Sequence, residues 1–198
     1  MTLTTASAHC PEIMTNVVDL PCQSCDTGQS LAAKGFCCRD FRSTLGSFAT
    51  GVTVITALTA DGEPIGMTIS SFNSVSLDPP LILWSLALSS PALEAFRSAR
   101  HYAVNVLAAD QQAISNRFAA RSGDRFAGVP RRTGLGGVPL LEGCCAWFEC
   151  SNEAQYPGGD HLIFVGHVES FAQGEAASPL IFHGARYRQL ETLATSDN

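Results

Sequence analysis

Between Ile65 and Ser71, apolar residues alternate strictly with small or hydroxylated ones, which is the period of a β-strand and not of a helix. Side chains in a strand point alternately to opposite faces, so Gly66, Thr68 and Ser70 share the face opposite to Ile65. An antiparallel strand with an ordinary solvent face carries Lys, Glu and Arg at its outward positions. None occurs here, so the pattern favours a strand whose second face lines a binding site. A run of turn-forming hydroxyls is the alternative.

Signals before this strand predict a helix and a hairpin. Asp40 precedes an apolar stripe at Phe41, Leu45 and Phe48, which predicts a short helix with Asp40 as N-cap and Gly51 at its end. A β-branched run over residues 52–56 then predicts a strand, and an Asp-Gly dipeptide at 61–62 predicts a hairpin turn. The strand from Ile65 therefore returns beside the strand before it.

Signals after this strand predict further short elements. Residues 72–78 alternate again, and two prolines lead into an apolar strand over 81–88. Ser90 and Pro91 predict the N-cap and first residue of a helix over 92–98, and Asp110 predicts the N-cap of another. Further strands are predicted over residues 102–106, 146–153, 162–171 and 179–182. Residues 123–143 are rich in Gly, Pro and Arg and predict a long loop.

Six or more strands with short helices at three junctions favour a mainly β fold, an antiparallel barrel and not a βαβ sheet. No GxGxxG follows the first strand, and the Walker A, HExxH and GxSxG patterns are absent from the sequence. The usual fingerprints of a dinucleotide fold, a P-loop enzyme, a zinc protease and a serine hydrolase are therefore missing.

Length and composition limit the function classes. With 198 residues, the chain has room for one domain plus an extension. Its net charge of −6 argues against sequence-independent nucleic-acid binding. The longest apolar run, 81–88, is far below the roughly 20 residues that cross a membrane. The first 33 residues contain no Lys or Arg, so we expect no targeting peptide, no membrane contact and a cytoplasmic location.

Five of the eight cysteines precede the predicted domain, at positions 10, 22, 25, 37 and 38. Cys22 and Cys25 form a CxxC, and four of these thiols could hold zinc. A lone CxxC in a segment without hydrophobic periodicity favours incidental thiols in a disordered extension, so we assign no metal ligand.

Three groups of residues are candidates for a ligand site. The hydroxyls from Thr68 to Ser76 suit the polar edge of a planar heterocycle, or simply form turns. A phosphate could lie between the start of the helix at Pro91 and the charge of Arg117, although an N-cap and a surface arginine explain the same residues. The pair of Asp160 and His161 follows a Gly-Gly turn, where His161 could hydrogen-bond an amide or a phosphate.

Read in order, several separated motifs resemble the flavin reductase family, the small reductase components of two-component flavin-dependent monooxygenases. They are the stretch from Phe41 to Val54, the GMTISSF sequence at 66–72, SVSLDPPL at 74–81 and the GDH motif at 159–161, followed by Gly166, Val168, Pro179-Leu180 and Tyr187. The resemblance covers about residues 36 to 190.

The resemblance implies an FMN-binding split barrel, a six-stranded antiparallel Greek-key barrel with flanking helices, over residues 36–193. Residues 1–35 are then the extension and 194–198 a tail. It also implies a homodimer that reduces FMN or FAD with NADH or NADPH. The reduced flavin goes to a separate monooxygenase, and hydroxylation of an aromatic compound is expected. Hydride passes from nicotinamide C4 to flavin N5, so no strong general acid or base is required.

Site residues are carried over by motif position. Thr68, Ser70 and Ser71 would hydrogen-bond the isoalloxazine and the ribityl chain. The ribityl phosphate would lie along Ser85, Ser89 and Ser90, with Arg117 and Phe118 near the phosphate and the outer part of the flavin. The GDH residues Gly159, Asp160 and His161 would face the nicotinamide nucleotide, with His161 as the catalytic residue, and Tyr187 completes the cofactor-binding set.

Two other functions fit the same barrel. One is a flavin-binding protein without turnover, a sensor or a store. The other is a split-barrel oxidase that uses tightly held FMN. The sequence does not choose between FMN and FAD, or between NADH and NADPH.

Overall fold

The computed structural model of the chain describes residues 37–176 and 178–191. Three helices and twelve strands follow one another in these ranges, with a single 3₁₀ turn at Leu135–Gly137. In chain order they are α1 (Cys38–Leu45), β1 (Thr50–Gly51), β2 (Thr53–Leu58), β3 (Pro64–Ile69), β4 (Asn73–Leu77), β5 (Pro80–Ala87), α2 (Leu93–Ser98), β6 (His101–Val106), α3 (Gln112–Ala119), β7 (Arg131–Thr133), β8 (Pro139–Leu141), β9 (Ala146–Gly158), β10 (His161–Gln173), β11 (Ile181–His183) and β12 (Arg186–Arg188). The predicted mainly β fold with short flanking helices is confirmed.

Seven strands form one sheet in the order β3-β2-β6-β9-β10-β5-β4, and every neighbouring pair is antiparallel. The chain passes from β5 through α2 to β6, so it crosses over the β9–β10 pair. The predicted hairpin between β2 and β3 is confirmed, with Gly62 at a φ of +82° in its turn. Two small sheets, β1-β11-β12 and β7-β8, complete the described architecture.

An aromatic cluster fills the interior of the main sheet. Trp84 of β5 stacks on Phe164 of β10 with ring centroids 4.2 Å apart, and it meets Phe96 and Tyr102 edge-on. All four side chains are fully buried. Gly166 faces this cluster, because a Cβ there would overlap the Tyr102 hydroxyl and lie 2.8 Å from its Cζ. The aromatic cluster therefore fixes how β5, β6 and β10 curve around one core.

The ends of α1 differ from the prediction. Cys37 occupies the N-cap and Asp40 lies in the first turn, where its charge favours the helix dipole without capping it. Gly46 is the C-cap, so the helix ends before Gly51, which pairs with Ile181 in β1. The apolar stripe lies on the surface of the described chain, with Phe41 57% and Phe48 73% exposed.

Other element boundaries also shift. Ala92, not Ser90, is the N-cap of α2, although the Ser90 hydroxyl accepts a hydrogen bond from the Ala92 N–H at 3.3 Å. Gln111, not Asp110, precedes α3. The predicted long loop over 123–143 contains the hairpin of β7 and β8, and β12 was not predicted at all. These strands are three residues long, which is too short for an alternating pattern to be recognised in the sequence.

No helix among the described residues is long and apolar enough to cross a membrane.

Candidate functional site

One hydroxyl group joins the end of β3 to the middle of β5. The Ser71 Oγ accepts a hydrogen bond from the Ser85 N–H at 3.0 Å and donates to the Ser85 carbonyl at 3.1 Å. Both residues are half-buried. Because the only proton of the Ser71 hydroxyl is already donated, its side chain can offer a ligand just one further acceptor position. Its established contribution is to hold the two strands together.

The turn at 159–161 lies directly beside the end of β5. His161 pairs with Ala87 across β10 and β5, Ile163 pairs with Ser85, and the Leu88 N–H donates to the Asp160 carbonyl at 2.9 Å. Gly159 has a φ of +70°, which the tight turn requires. The fold therefore brings together the serines of β5 and the GDH motif, although more than 70 residues separate them in the sequence.

Asp160 and His161 form a hydrogen-bonded pair. The His161 Nδ1 and the Asp160 Oδ1 are 2.7 Å apart, with the imidazole 12% exposed and the carboxylate 76% exposed. The hydrogen bond from His161 lowers the pKa of the Asp160 carboxyl, its small burial acts in the opposite direction, and the charges of His161 and Arg42 lower it further. An ionised Asp160 thus orients the His161 ring at the turn beside β5.

A half-buried strip of side chains surrounds Ser85. Directly paired residues of antiparallel strands share a sheet face, so Ser85 lies beside Ile163, and Leu83 lies beside Val165. All four, like His161, are half-buried in the described chain. Ser90 is half-buried and Ser89 is exposed where β5 ends. The strip combines apolar area with hydroxyl and imidazole groups, the mixture found in sites for planar cofactors.

Thr68 belongs to a second group, organised around α3. Its side chain is 2% exposed and its hydroxyl donates to the Ser115 carbonyl at 2.7 Å. The Ser115 Oγ lies 2.7 Å from the Tyr187 hydroxyl, which donates to the Asn116 Oδ1 at 2.9 Å. Burial raises the pKa of Tyr187, while the contact with Ser115 acts in the opposite direction. Thr68 and Tyr187 thus attach α3 to β3 and β12 from two sides.

Phe118 fills the space above Gly66. It is fully buried, and a Cβ at Gly66 would lie 2.6 Å from its Cε1. Phe126 packs edge-on against the same ring, with centroids 4.9 Å apart. At Gly66 and Thr68 this face of β3 is covered by α3, and the predicted flavin contact of Thr68 stays a prediction. The face lacks charged residues because α3 and Phe118 cover it, and a flavin contact through the Phe118 ring would require this packing to open.

Arginines organise the segment that follows α3, and sequence reasoning missed two of them. Arg125 donates to the Gly66 carbonyl at 2.9 Å and to the Ala120 carbonyl, so it ties the segment to β3. Partial burial lowers its pKa. Arg131 donates to the Phe126 carbonyl at 3.0 Å, and the predicted site residue Arg117 donates to the Ala127 carbonyl. The sequence does contain a signal that could have pointed to these arginines, because five of the chain's 12 Lys and Arg residues lie between positions 117 and 132.

The structure was searched for groups of side chains that could bind a metal ion. Among residues 37–176 and 178–191, no cluster of three or more His, Cys, Asp or Glu could hold a metal ion. Cys10, Cys22 and Cys25 lie outside the described residues.

A cavity of 680 Å³ lies at the far end of the β9–β10 pair from His161, lined by residues such as Cys145, Phe148, Phe171 and Gln173. None of the predicted site residues lines this cavity.

Comparison with known proteins gives a consistent result. Residues 45–191 match the family model described as "Flavin reductase like domain". Over 149 residues the chain is 49% identical to an NADH-dependent FMN reductase, SmoA, from Agrobacterium fabrum, covering 75% of this chain and 84% of that protein. It is 43% identical to the reductase component of a flavin-dependent trigonelline monooxygenase from Acinetobacter baylyi, covering 75% of this chain but only 48% of that component.

Solved structures share the fold. An NADH:FAD oxidoreductase from Streptomyces globisporus, determined with NAD and FAD fragments, superposes with a TM-score of 0.73 at 37% identity. The superposition covers 79% of this chain and 93% of that protein.

Proposed function

Since the chain belongs to the flavin reductase-like domain family, we propose that it reduces FMN or FAD with NADH or NADPH and releases the reduced flavin to a separate monooxygenase component. Hydroxylation of an aromatic compound by that monooxygenase is the reaction we expect it to serve. Related reductase components of such pairs include the one named for trigonelline, an aromatic substrate.

One observation carries this proposal. The GDH turn, which the family resemblance connects with the nicotinamide nucleotide, is hydrogen-bonded to the end of β5, where Ser85, Ser89 and Ser90 are predicted to hold the flavin. A hydride donor and a hydride acceptor must be held within contact of each other, so their two sites have to be neighbours. The pairing of the 159–161 turn with the end of β5 supports such a proximity within one chain.

The residues present fit a flavin and a nicotinamide nucleotide. The strip around Ser85 offers apolar area for a ring, and Ser71 and Ser89 supply hydroxyl or backbone groups at its edge. When bound, the two cofactors supply the hydride chemistry. The protein aligns them, and His161, oriented by Asp160, would face the nicotinamide nucleotide. The flavin contacts of Thr68 and Phe118 stay predictions; Thr68 is buried beneath α3, and Phe118 is a buried residue of α3 itself.

A homodimer is part of the proposal. The strip around Ser85 is only half-buried in the described chain, and large apolar side chains elsewhere are exposed, including Leu77 at 95% and Phe171 at 75%. Apolar surface of this kind is typical of subunit interfaces. Light scattering coupled to size-exclusion chromatography gives the mass directly. A monomer at working concentration would refute the homodimer. The cytoplasmic location and the absence of nucleic-acid binding stay predictions.

The activity is tested by mixing the purified chain with NADH or NADPH and free FMN or FAD and following the absorbance of the reduced nicotinamide. We expect turnover that requires added flavin, with the four pairings giving the cofactor preference. Tight flavin binding without NADH oxidation would instead indicate a sensor or store. A yellow protein that does not reduce added flavin would indicate an oxidase with resident FMN.

A further inference from the structure

The cavity at the end of β10 that is remote from His161 has the dimensions of a ligand site. Its volume is 680 Å³, and small-molecule sites typically measure about 300 to 1,000 Å³. Phe171 of β10 pairs with Phe148 of β9, and directly paired residues share one face of the sheet. Phe148 packs against the buried core, so the cavity lies where the core side of the sheet ends, at the mouth of the barrel. We call it the Phe171 cavity.

Hydrogen bonds hold the wall of the Phe171 cavity in place. The Gly174 N–H donates to the Cys145 carbonyl at 2.7 Å, and the Ala109 N–H donates to the Ser178 carbonyl at 2.9 Å. A Cβ at position 174 would overlap the Cys144 carbonyl oxygen, so the close approach of these two segments requires glycine. The cavity is therefore built into the fold before any ligand binds.

Most of the lining of the Phe171 cavity is apolar. Besides the rings of Phe148 and Phe171, it includes Val106, Ala146 and Pro179. Phe171 is 75% exposed, so most of its ring area is available for a ligand to cover. A ligand with an apolar body would gain stability by removing this area from water.

The polar groups at the Phe171 cavity are neutral or negative. Among the described residues that line it, Glu175 alone is charged, and the Gln173 amide and the Cys145 thiol are its polar neighbours. Burial raises the pKa of the Cys145 thiol, and the charge of Asp110 raises it further, so a second carboxylate lies close to the cavity.

Neither acid at the Phe171 cavity has a cation beside it. In the part of the chain that the structure describes, no ion pair involves Glu175 or Asp110, and no hydrogen bond involves the side chain of Gln173. Two carboxylates without a neighbouring cation create a negative potential at the cavity, which favours a positively charged ligand.

We propose that the Phe171 cavity binds a small organic ammonium ion with an apolar body about as large as one aromatic ring. The ammonium would pair with Glu175 and donate to the side-chain oxygen of Gln173, while the apolar body lies against Phe148 and Phe171. This site is separate from the proposed cofactor site, because Gln173 lies twelve residues along β10 from His161, about 40 Å along an extended strand. The inference does not depend on the proposed reductase activity.

The test compares three probes of one size that differ in charge: benzylamine, benzyl alcohol and benzoate. Binding of each probe to the full chain is measured by ligand-observed NMR and by calorimetry for the wild type, Glu175→Gln and Phe171→Ala. Glu153→Gln is the matched control for charge, since it removes an exposed acid of β9 that does not line the cavity. Phe48→Ala is the matched control for the ring, since Phe48 is 73% exposed on a different surface. Thermal unfolding shows whether each variant keeps its fold.

We expect benzylamine to bind the wild type at least about tenfold more tightly than benzoate, because only the ammonium gains a charge-assisted contact. Glu175→Gln should weaken benzylamine binding about tenfold and leave benzyl alcohol binding within about twofold. Phe171→Ala should weaken the binding of both probes, because both lose contact with the ring. Added salt should weaken benzylamine binding more than benzyl alcohol binding, and the two control variants should behave as the wild type.

Equal affinities for benzylamine and benzoate would overturn the proposal, because charge would then take no part in binding. Failure of benzylamine to bind at concentrations up to about 10 mM would overturn it as well. If no probe binds the wild type and Phe171→Ala converts a dimer into a monomer, the cavity belongs to a subunit interface and the proposal is wrong. A chain that binds benzylamine as expected but never oxidises NADH would refute the reductase function and keep this site.

Discussion

Replacing Gly66 with alanine tests whether the face of β3 that carries Gly66 and Thr68 packs against a ring of the protein or against a ring of a ligand. An added Cβ would lie 2.6 Å from Cε1 and 2.8 Å from Cδ1 of Phe118, and 3.1 Å from Cζ of Phe126. Both rings are nearly or fully buried, and they pack edge-on against each other. Neither ring can therefore move without displacing the other.

The expected cost follows from this geometry. Overpacking a dense core by one methyl group typically costs about 1 to 3 kcal/mol, and Gly66→Ala belongs at the upper end because its Cβ is fixed to the backbone of β3. A loss of about 3 kcal/mol lowers Tm by about 6 to 12 °C in a domain of this size. Urea unfolding followed by far-UV circular dichroism gives the free energy, and calorimetry gives Tm.

Two further variants isolate the cause. Gly51→Ala is the matched control, since no atom lies within 4 Å of a Cβ there, and it should stay within about 0.5 kcal/mol of the wild type. Phe118→Leu removes the contacting ring atoms, so the double variant Gly66→Ala/Phe118→Leu should lose less stability than the sum of the single variants. If Gly66→Ala keeps the wild-type Tm but loses flavin affinity, the face binds a ligand and the packing argument is refuted.

Three further predictions concern the site and the core. His161→Ala should raise KM for NADH more than it changes flavin affinity, and unchanged NADH kinetics would remove His161 from the nicotinamide site. Ser71→Ala deletes both hydrogen bonds to Ser85, so it should cost about 1 to 3 kcal/mol in urea unfolding, whereas Ser89→Ala, at an exposed position, should cost nothing measurable. Burial raises the pKa of the Cys144 and Cys150 thiols to about 12, so above pH ~9 the unfolded chain loses protons that the folded chain keeps. The free energy of unfolding should then fall as pH rises, by up to about 1.4 kcal/mol per pH unit for each thiol, and a Cys150→Ala variant with the same slope as wild type would contradict this assignment.

Strands with a strong local signal were predictable. The β-branched run predicted β2, the alternation predicted β3, and the Asp-Gly dipeptide predicted the turn at Gly62 between them. The ends of α1 were not predictable from the sequence. Asp40 lies in the first turn, and the N-cap position is occupied by Cys37, whose side chain forms no capping hydrogen bond. The short strands β7, β8 and β12 are set by pairing with distant partners, which a single sequence does not reveal.

The site was predictable where the chemistry is local. The Asp160 and His161 pair is formed by adjacent residues, so its hydrogen bond follows from the turn itself. Ser85 and His161 could be connected only through the family resemblance, because the β5–β10 pairing that joins them is long-range. Thr68 shows the limit of periodicity. Alternation placed it correctly on the face opposite to Ile65, but it could not tell whether α3 or a ligand covers that face.

The division between buried and exposed polar groups bears on how such a protein would release its product. The hydroxyls of Thr68 and Tyr187 form hydrogen bonds with α3, and the hydroxyl of Ser71 forms hydrogen bonds with Ser85. Few uncharged groups are therefore left to form hydrogen bonds with a flavin. Neutral hydrogen bonds contribute about 0.5 to 1.5 kcal/mol each, and the half-buried strip around Ser85 encloses only one side of a ring. Most of the affinity would then depend on apolar contact of the ring with the strip around Ser85 and on the predicted contacts at Ser89 and Ser90. A site of this kind can hold a flavin long enough for hydride transfer and still release it, because few contacts have to break to free the ligand.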